Sequence, residues 1–110
     1  MTSSDPRVYL LHIRDCCNRI LECRDLKGKS LVPDYILLDA VCRNLEILGE
    51  ASRKIGEDFR SGHAGVPWRE MNDLRNVLIH NYEGADQEIV WGVVERDIPQ
   101  LLASLVGLLV

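Results

Sequence analysis

The chain has 110 residues, 46% of them hydrophobic and 27% charged. That describes one globular domain over residues 1–110, since a second would need roughly 50 residues or more of its own. Thirteen Lys and Arg against seventeen Asp and Glu leave a formal charge of −4, which excludes a polyanion binder relying on an all-round positive field, so any nucleic-acid contact must be local.

The opening residues, Met1-Thr2-Ser3-Ser4-Asp5-Pro6, have no basic-then-apolar succession of a secretory signal. The most apolar run, Leu101 to Val110, is half a membrane span. The expectation is a cytoplasmic protein without a membrane contact. Cysteines stand at 16, 17, 23 and 42, with no Cys-x-x-Cys pair, so they read as small buried hydrophobes and not as a disulfide framework or zinc site. His12 and Cys16 have helical i, i+4 spacing, but further ligands to complete a metal site are missing. No metal and no cofactor is expected.

Asp5-Pro6 supplies a cap and a first-turn proline to an amphipathic helix running to Leu26, with Tyr9, Ile13, Cys16, Ile20 and Cys23 on one face. Lys27-Gly28-Lys29 ends it, the glycine being free to take the left-handed conformation. Ser30 to Pro33 opens a second helix whose stripe Leu37, Val41, Leu45, Leu48, Ile55 and Phe59 predicts an unbroken run of about 27 residues. Gly49 inside it points to close packing of two backbones in preference to a bend. Arg60 to Val66 reads as a loop, and Pro67-Trp68 starts a third helix with a narrow apolar seam of Met71, Leu74 and Leu78. Glu83 to Asp86 forms a turn. Val90, Val94, Ile98, Leu101 and Leu105 mark a fourth helix, kinked or restarted near Pro99. With no strand alternation and short connections, the fold class is all-α: an antiparallel four-helix bundle with room for an extra short C-terminal helix. A core of this size leaves little surplus stability, so self-association is a natural supplement.

The third helix ends in unusually polar residues, Arg75-Asn76-Val77-Leu78-Ile79-His80-Asn81-Tyr82. The spacing Arg75-x4-His80-x-Tyr82 resembles the Arg-x4-His-x-Tyr motif of the HEPN superfamily, and most closely its HepT-like toxin branch. The resemblance continues in Asn44-Leu45-Glu46-Ile47-Leu48-Gly49-Glu50-Ala51, in Val66-Pro67-Trp68-Arg69, in Trp91 and in Asp97-Ile98-Pro99-Gln100-Leu101. It implies a homodimeric, metal-independent endoribonuclease, the toxin of a type VII-like toxin–antitoxin pair. The implied partner is an MntA-type nucleotidyltransferase antitoxin that silences the toxin by transferring AMP to the motif tyrosine, here Tyr82.

The residue types suit such chemistry. A histidine titrates near neutrality and can take the proton from a ribose 2′-hydroxyl, and a guanidinium matches phosphate oxygens in bidentate fashion. His80 and Arg75 are therefore the candidate catalytic pair. The competing structural roles are an ion pair for Arg75 and a helix-end cation for His80. Tyr82 is the candidate for modification and for contact with the RNA backbone. Asn76, Asn44 and Glu50 are candidate supporting residues, with capping or inter-helix hydrogen bonds as their ordinary alternative. Cations at Arg14, Arg19, Arg24, Lys27, Lys29, Arg43, Arg53, Lys54 and Arg69 frame a cleft or are simply solvated.

Five residues along a helix turn the chain through about 500°, which leaves Arg75 and His80 about 140° apart, while Arg75 and Tyr82 share one stripe. The two catalytic candidates converge only if the helix breaks near His80 or a second protomer supplies one of them. The expectation is a composite site at a dimer interface. A second function class fits the same residues: a non-catalytic helical subunit that binds a nucleotide or regulates a minimal nucleotidyltransferase, with Arg75 and His80 holding phosphate and cutting nothing.

Overall fold

The carboxylate of Asp5 accepts a hydrogen bond from the backbone N–H of Arg7 at 2.9 Å, and Pro6 takes the first helical position of α1 (Pro6–Leu26). This cap satisfies an N–H that no helical carbonyl can reach. At the other end Gly28 has φ +74°, the left-handed conformation that costs a side-chain-bearing residue about 1 kcal/mol or more. Its N–H is held by the Asp34 carboxylate at 3.1 Å. The computed structural model describes residues 5–81 and 87–109, apart from the side chains at positions 75, 77 and 79–81.

The predicted long second helix is two helices. α2 (Asp34–Lys54) stops at Ile55, which is extended and 1% exposed, and α3 (Glu57–Gly62) begins after Gly56. Arg60 to Gly62 are thus helical, where the sequence predicted a loop. The stripe Leu48, Ile55, Phe59 keeps helical spacing through this corner, so periodicity does not reveal it. The break falls beside Gly56, where a helix interior is weakest by about 1 kcal/mol relative to alanine. Gly49 has the same intrinsic weakness, yet α2 runs through it unbroken and Gly49 is buried, in line with the packing expectation.

α4 (Trp68–Asn81) follows the Val66-Pro67 step, and α5 (Gln87–Leu109) carries Pro99 inside one continuous helix, neither restarted nor followed by a separate C-terminal one. The additional short helix is α3. Packing of α1 on α2, α2 on α4, α4 on α5 and α5 on α1 closes the all-α four-helix bundle. Two contacts define its ends. The Arg7 guanidinium donates to the Leu109 carbonyl at 3.4 Å, and the Lys27 ammonium lies 4.4 Å from the centre of the Trp91 ring. The start of α1 therefore meets the end of α5, and the end of α1 meets the start of α5. Asn81 and Gln87 are six residues apart in sequence, a reach of about 20 Å at most, so the end of α4 belongs to the Lys27–Trp91 end of the bundle. Among the described residues no helix is long and apolar enough to cross a membrane.

The core draws on all four long helices, with Ile13, Ile20, Leu48, Ile98 and Leu105 at full burial. Cys16, Cys17 and Cys42 are buried in it as free thiols, and Cys23 is half-buried. Burial pushes the Cys17 thiol up from 9.0 to about 12, with neighbouring Cys16 adding to the rise. Below about pH 9 the thiol is neutral in both folded and unfolded chains. Above it the unfolded chain releases the proton first, so stability should fall toward pH 12 with a slope of up to ~1.4 kcal/mol per pH unit from this group. Urea midpoints followed across that range should show the fall, and Cys17→Ala should flatten part of it. Independently, Gly28→Ala should cost about 1 kcal/mol in the same measurement, because strain at positive φ is the only change; no atom lies within 4 Å of the added Cβ.

Candidate active site

α4 is anchored through Met71, Leu74 and Leu78, exposed by 1, 7 and 8% respectively. These residues make one stripe, and Asn72 and Asn76, both exposed, mark the opposite one. Arg75 and His80 both lie within this helix, whose last residue is Asn81. By helical register, positions 75 and 80 are about 140° apart around the helix axis. The helix does not break between the two positions. Tyr82 lies outside the described residues.

Asn44 sits half-buried on α2, which packs on α4. Its amide N–H donates to the Ala40 carbonyl at 2.8 Å, one turn back in the same helix. Its carbonyl oxygen is buried and has no hydrogen-bond partner among the described residues. A buried acceptor left unpaired costs about 1–3 kcal/mol.

Glu50 is placed elsewhere. It pairs with Arg53 at 3.6 Å and lines a cleft of about 280 Å³ between α1 and α2, together with Tyr9, His12, Arg43 and Lys54. Six residues of helix separate it from Asn44 by about 9 Å and 120°, so the two do not form one polar group.

Four of the nine cations offered as a positive frame pair with neighbouring carboxylates. Arg14 pairs with Asp15 and Arg24 with Asp25, each at 3.1 Å, Arg43 pairs with Glu46 at 3.7 Å, and Arg53 with Glu50. Lys27 lies against Trp91. Trp91 is a core residue, while half-buried Trp68 donates its indole N–H to the His63 carbonyl at 2.9 Å. A more open cleft of about 630 Å³ lies at the α3–α4 corner, where Arg60 and Arg69 face Glu57 and Glu70; sequence reading passed over it because it assigned that corner to a plain loop. It lies at the bundle end opposite His80. Among the described residues no group of three or more His, Cys, Asp or Glu is arranged to hold a metal ion.

Residues 13–106 match the family described as "Ribonuclease HepT-like". The chain belongs to the HepT-like ribonuclease family. It is 52% identical over 94 residues to "Probable ribonuclease HepT" of Thermococcus cleftensis, covering 84% of this chain and 86% of that protein. It is 39% identical over 102 residues to "Putative RNase MJ1380" of Methanocaldococcus jannaschii, covering 92% of this chain and 94% of that one. No solved structure matches the chain.

For this HepT-like chain, the unpaired Asn44 oxygen gives a direct test of a function-for-stability exchange. Asn44→Leu removes an orphan acceptor and keeps the branching and number of side-chain heavy atoms, so its thermal midpoint should equal or exceed that of the parent, by up to about 1 kcal/mol in stability. A midpoint lowered by several degrees would mean that the oxygen is satisfied in solution.

Proposed function

We propose that the chain is the toxin of a type VII-like toxin–antitoxin pair, an endoribonuclease that works in the cytoplasm without a metal ion at a cleft between two protomers. The observation that carries this reading is the intact Arg75-x4-His80-x-Tyr82 spacing in a chain of the HepT-like ribonuclease family. Register supports the two-protomer form. An unbroken helix holds positions 75 and 80 about 140° apart, so a single α4 does not aim both residues at one phosphate.

In the proposed reaction His80 takes the proton from a ribose 2′-hydroxyl, and the freed oxygen attacks the adjacent phosphorus. The bond from phosphorus to the 5′-oxygen breaks, leaving a 2′,3′-cyclic phosphate and a 5′-hydroxyl that regains a proton. Arg75, contributed across the twofold axis, neutralises the charge that builds on the phosphate oxygens as the transition state forms. Asn76, one turn before His80, and Asn44, from α2, are supporting residues that hold phosphate or orient the catalytic pair. Glu50 acts at most at a distance, through the charge of the α1–α2 cleft. Silencing follows when an MntA-type nucleotidyltransferase directs the Tyr82 oxygen onto the α-phosphorus of ATP, forming the phosphodiester and releasing pyrophosphate. The added anionic nucleotide repels and blocks the RNA phosphate.

Arg75→Ala and His80→Ala should each lower RNA cleavage by about 10²–10⁴-fold while the protein stays folded. Chelation of divalent metal should leave the parent rate unchanged. Mixing the two inactive variants should restore a fraction of the activity, since a mixed dimer keeps one intact composite site. Purified protein free of AMP by intact mass that leaves RNA uncut would sink the enzyme reading in favour of a phosphate-binding subunit.

A further inference from the structure

Between the first turns of α4 and the middle of α5 lies a cleft of about 210 Å³. Met71 and Leu74 of α4 form one wall, and Val93, Ile98 and Leu101 of α5 the other. All five are buried, so the core behind them holds them in place. The cleft is therefore preformed, and filling it orders little of the protein. Its volume falls below the about 300–1,000 Å³ of small-molecule sites and suits one large aliphatic or aromatic side chain. Two family-like stretches that the proposed reaction does not use meet here: residues 66–69 contribute Pro67, and residues 97–101 contribute Asp97 as well as Ile98 and Leu101.

The rim is acidic. Glu70, Asp73 and Asp97 line it, all three are exposed, and none is hydrogen-bonded or ion-paired among the described residues. No described cation side chain lines the cleft. Arg69 lines the α3–α4 cleft instead, and Arg96 folds back along α5, where a Cβ added at Gly92 would stand 2.8 Å from its guanidinium. Position 75 lies about 100° around α4 from Leu74.

We propose that this cleft docks a basic amphipathic segment of a partner protein. One large apolar side chain enters the slot, and flanking lysine or arginine side chains pair with Glu70, Asp73 and Asp97. Recognition of a helix in a groove joins such an anchor to flanking charges of opposite sign. The proposal does not rest on the ribonuclease reading. Charge complementarity selects the occupant. RNA phosphates would meet three carboxylates and be repelled. A second copy of the chain, related by a twofold axis through the cleft, would set the same three carboxylates against themselves.

Titration of the full chain with a fluorescent alanine-rich helical peptide, carrying one central phenylalanine between two pairs of lysines, tests the proposal. The peptide should bind at micromolar concentration. Replacing its phenylalanine by alanine, or its lysines by glutamate, should weaken binding by about tenfold or more. On the protein, Glu70→Gln combined with Asp73→Asn and Asp97→Asn should weaken binding by a similar factor and flatten its salt dependence, with circular dichroism unchanged. Asp97→Lys alone, exposed and remote from both ends of α5, should also weaken it and serves as the variant that leaves helix ends and core intact. Methyl NMR spectra should place the peptide's effect at Leu74, Val93, Ile98 and Leu101. A chain that ignores the peptide at millimolar concentration, binding indifferent to the phenylalanine or to the three carboxylates, or shifts confined to another face overturns the proposal. Perturbation of the same methyl groups by a single-stranded RNA overturns it in favour of substrate, and shifts that follow protein concentration alone overturn it in favour of a second copy.

Discussion

Packing of Met71, Leu74 and Leu78 against the rest of the core sets the rotation of α4 about its own axis. Turning the helix to bring a different residue inward would pull three buried apolar side chains into water, at about 1.5–3 kcal/mol each. With rotation fixed and 3.6 residues to the turn, positions 75 and 80 cannot both face the same point beside one helix. The sequence motif is therefore only half a geometry.

The bundle has two chemically different ends. At the α3–α4 corner the surface is polar, with an open cleft in which arginine and glutamate side chains balance. At the other end an ordered loop displays apolar side chains beside the last turn of the motif helix. Between them, Arg14 and Arg24 on α1 and Arg43 and Arg53 on α2 are tied to neighbouring carboxylates. Exposed pairs of this kind add little stability, at most about 1 kcal/mol each.

Much of the fold was legible because its signals are local. The Asp5 cap, the Gly28 stop, the Pro67-Trp68 start and the apolar stripes each act within a turn or two of chain. The α2–α3 corner was not legible, since the apolar spacing from Leu48 through Ile55 to Phe59 continues across it. Gly49 and Gly56 look alike in sequence, and burial against neighbouring helices separates the one that stays helical from the one that does not. At Pro99 the helix does not restart. A proline removes one helical hydrogen bond, but Ile98, Leu101 and Leu105, exposed by 0, 2 and 0%, hold α5 in register on both sides of it.

By itself the sequence determined the all-α class, the ends of the first helix, the residues of the core and the spacing of the candidate catalytic groups, because each depends on neighbours a few positions away. Only the tertiary structure decided that Asn44 keeps a buried acceptor without a partner among the described residues, that Glu50 belongs to a different cleft, and that the apolar loop shares an end of the bundle with the motif helix. Those facts depend on which helices lie side by side, and side-by-side placement results from burial summed over the whole chain.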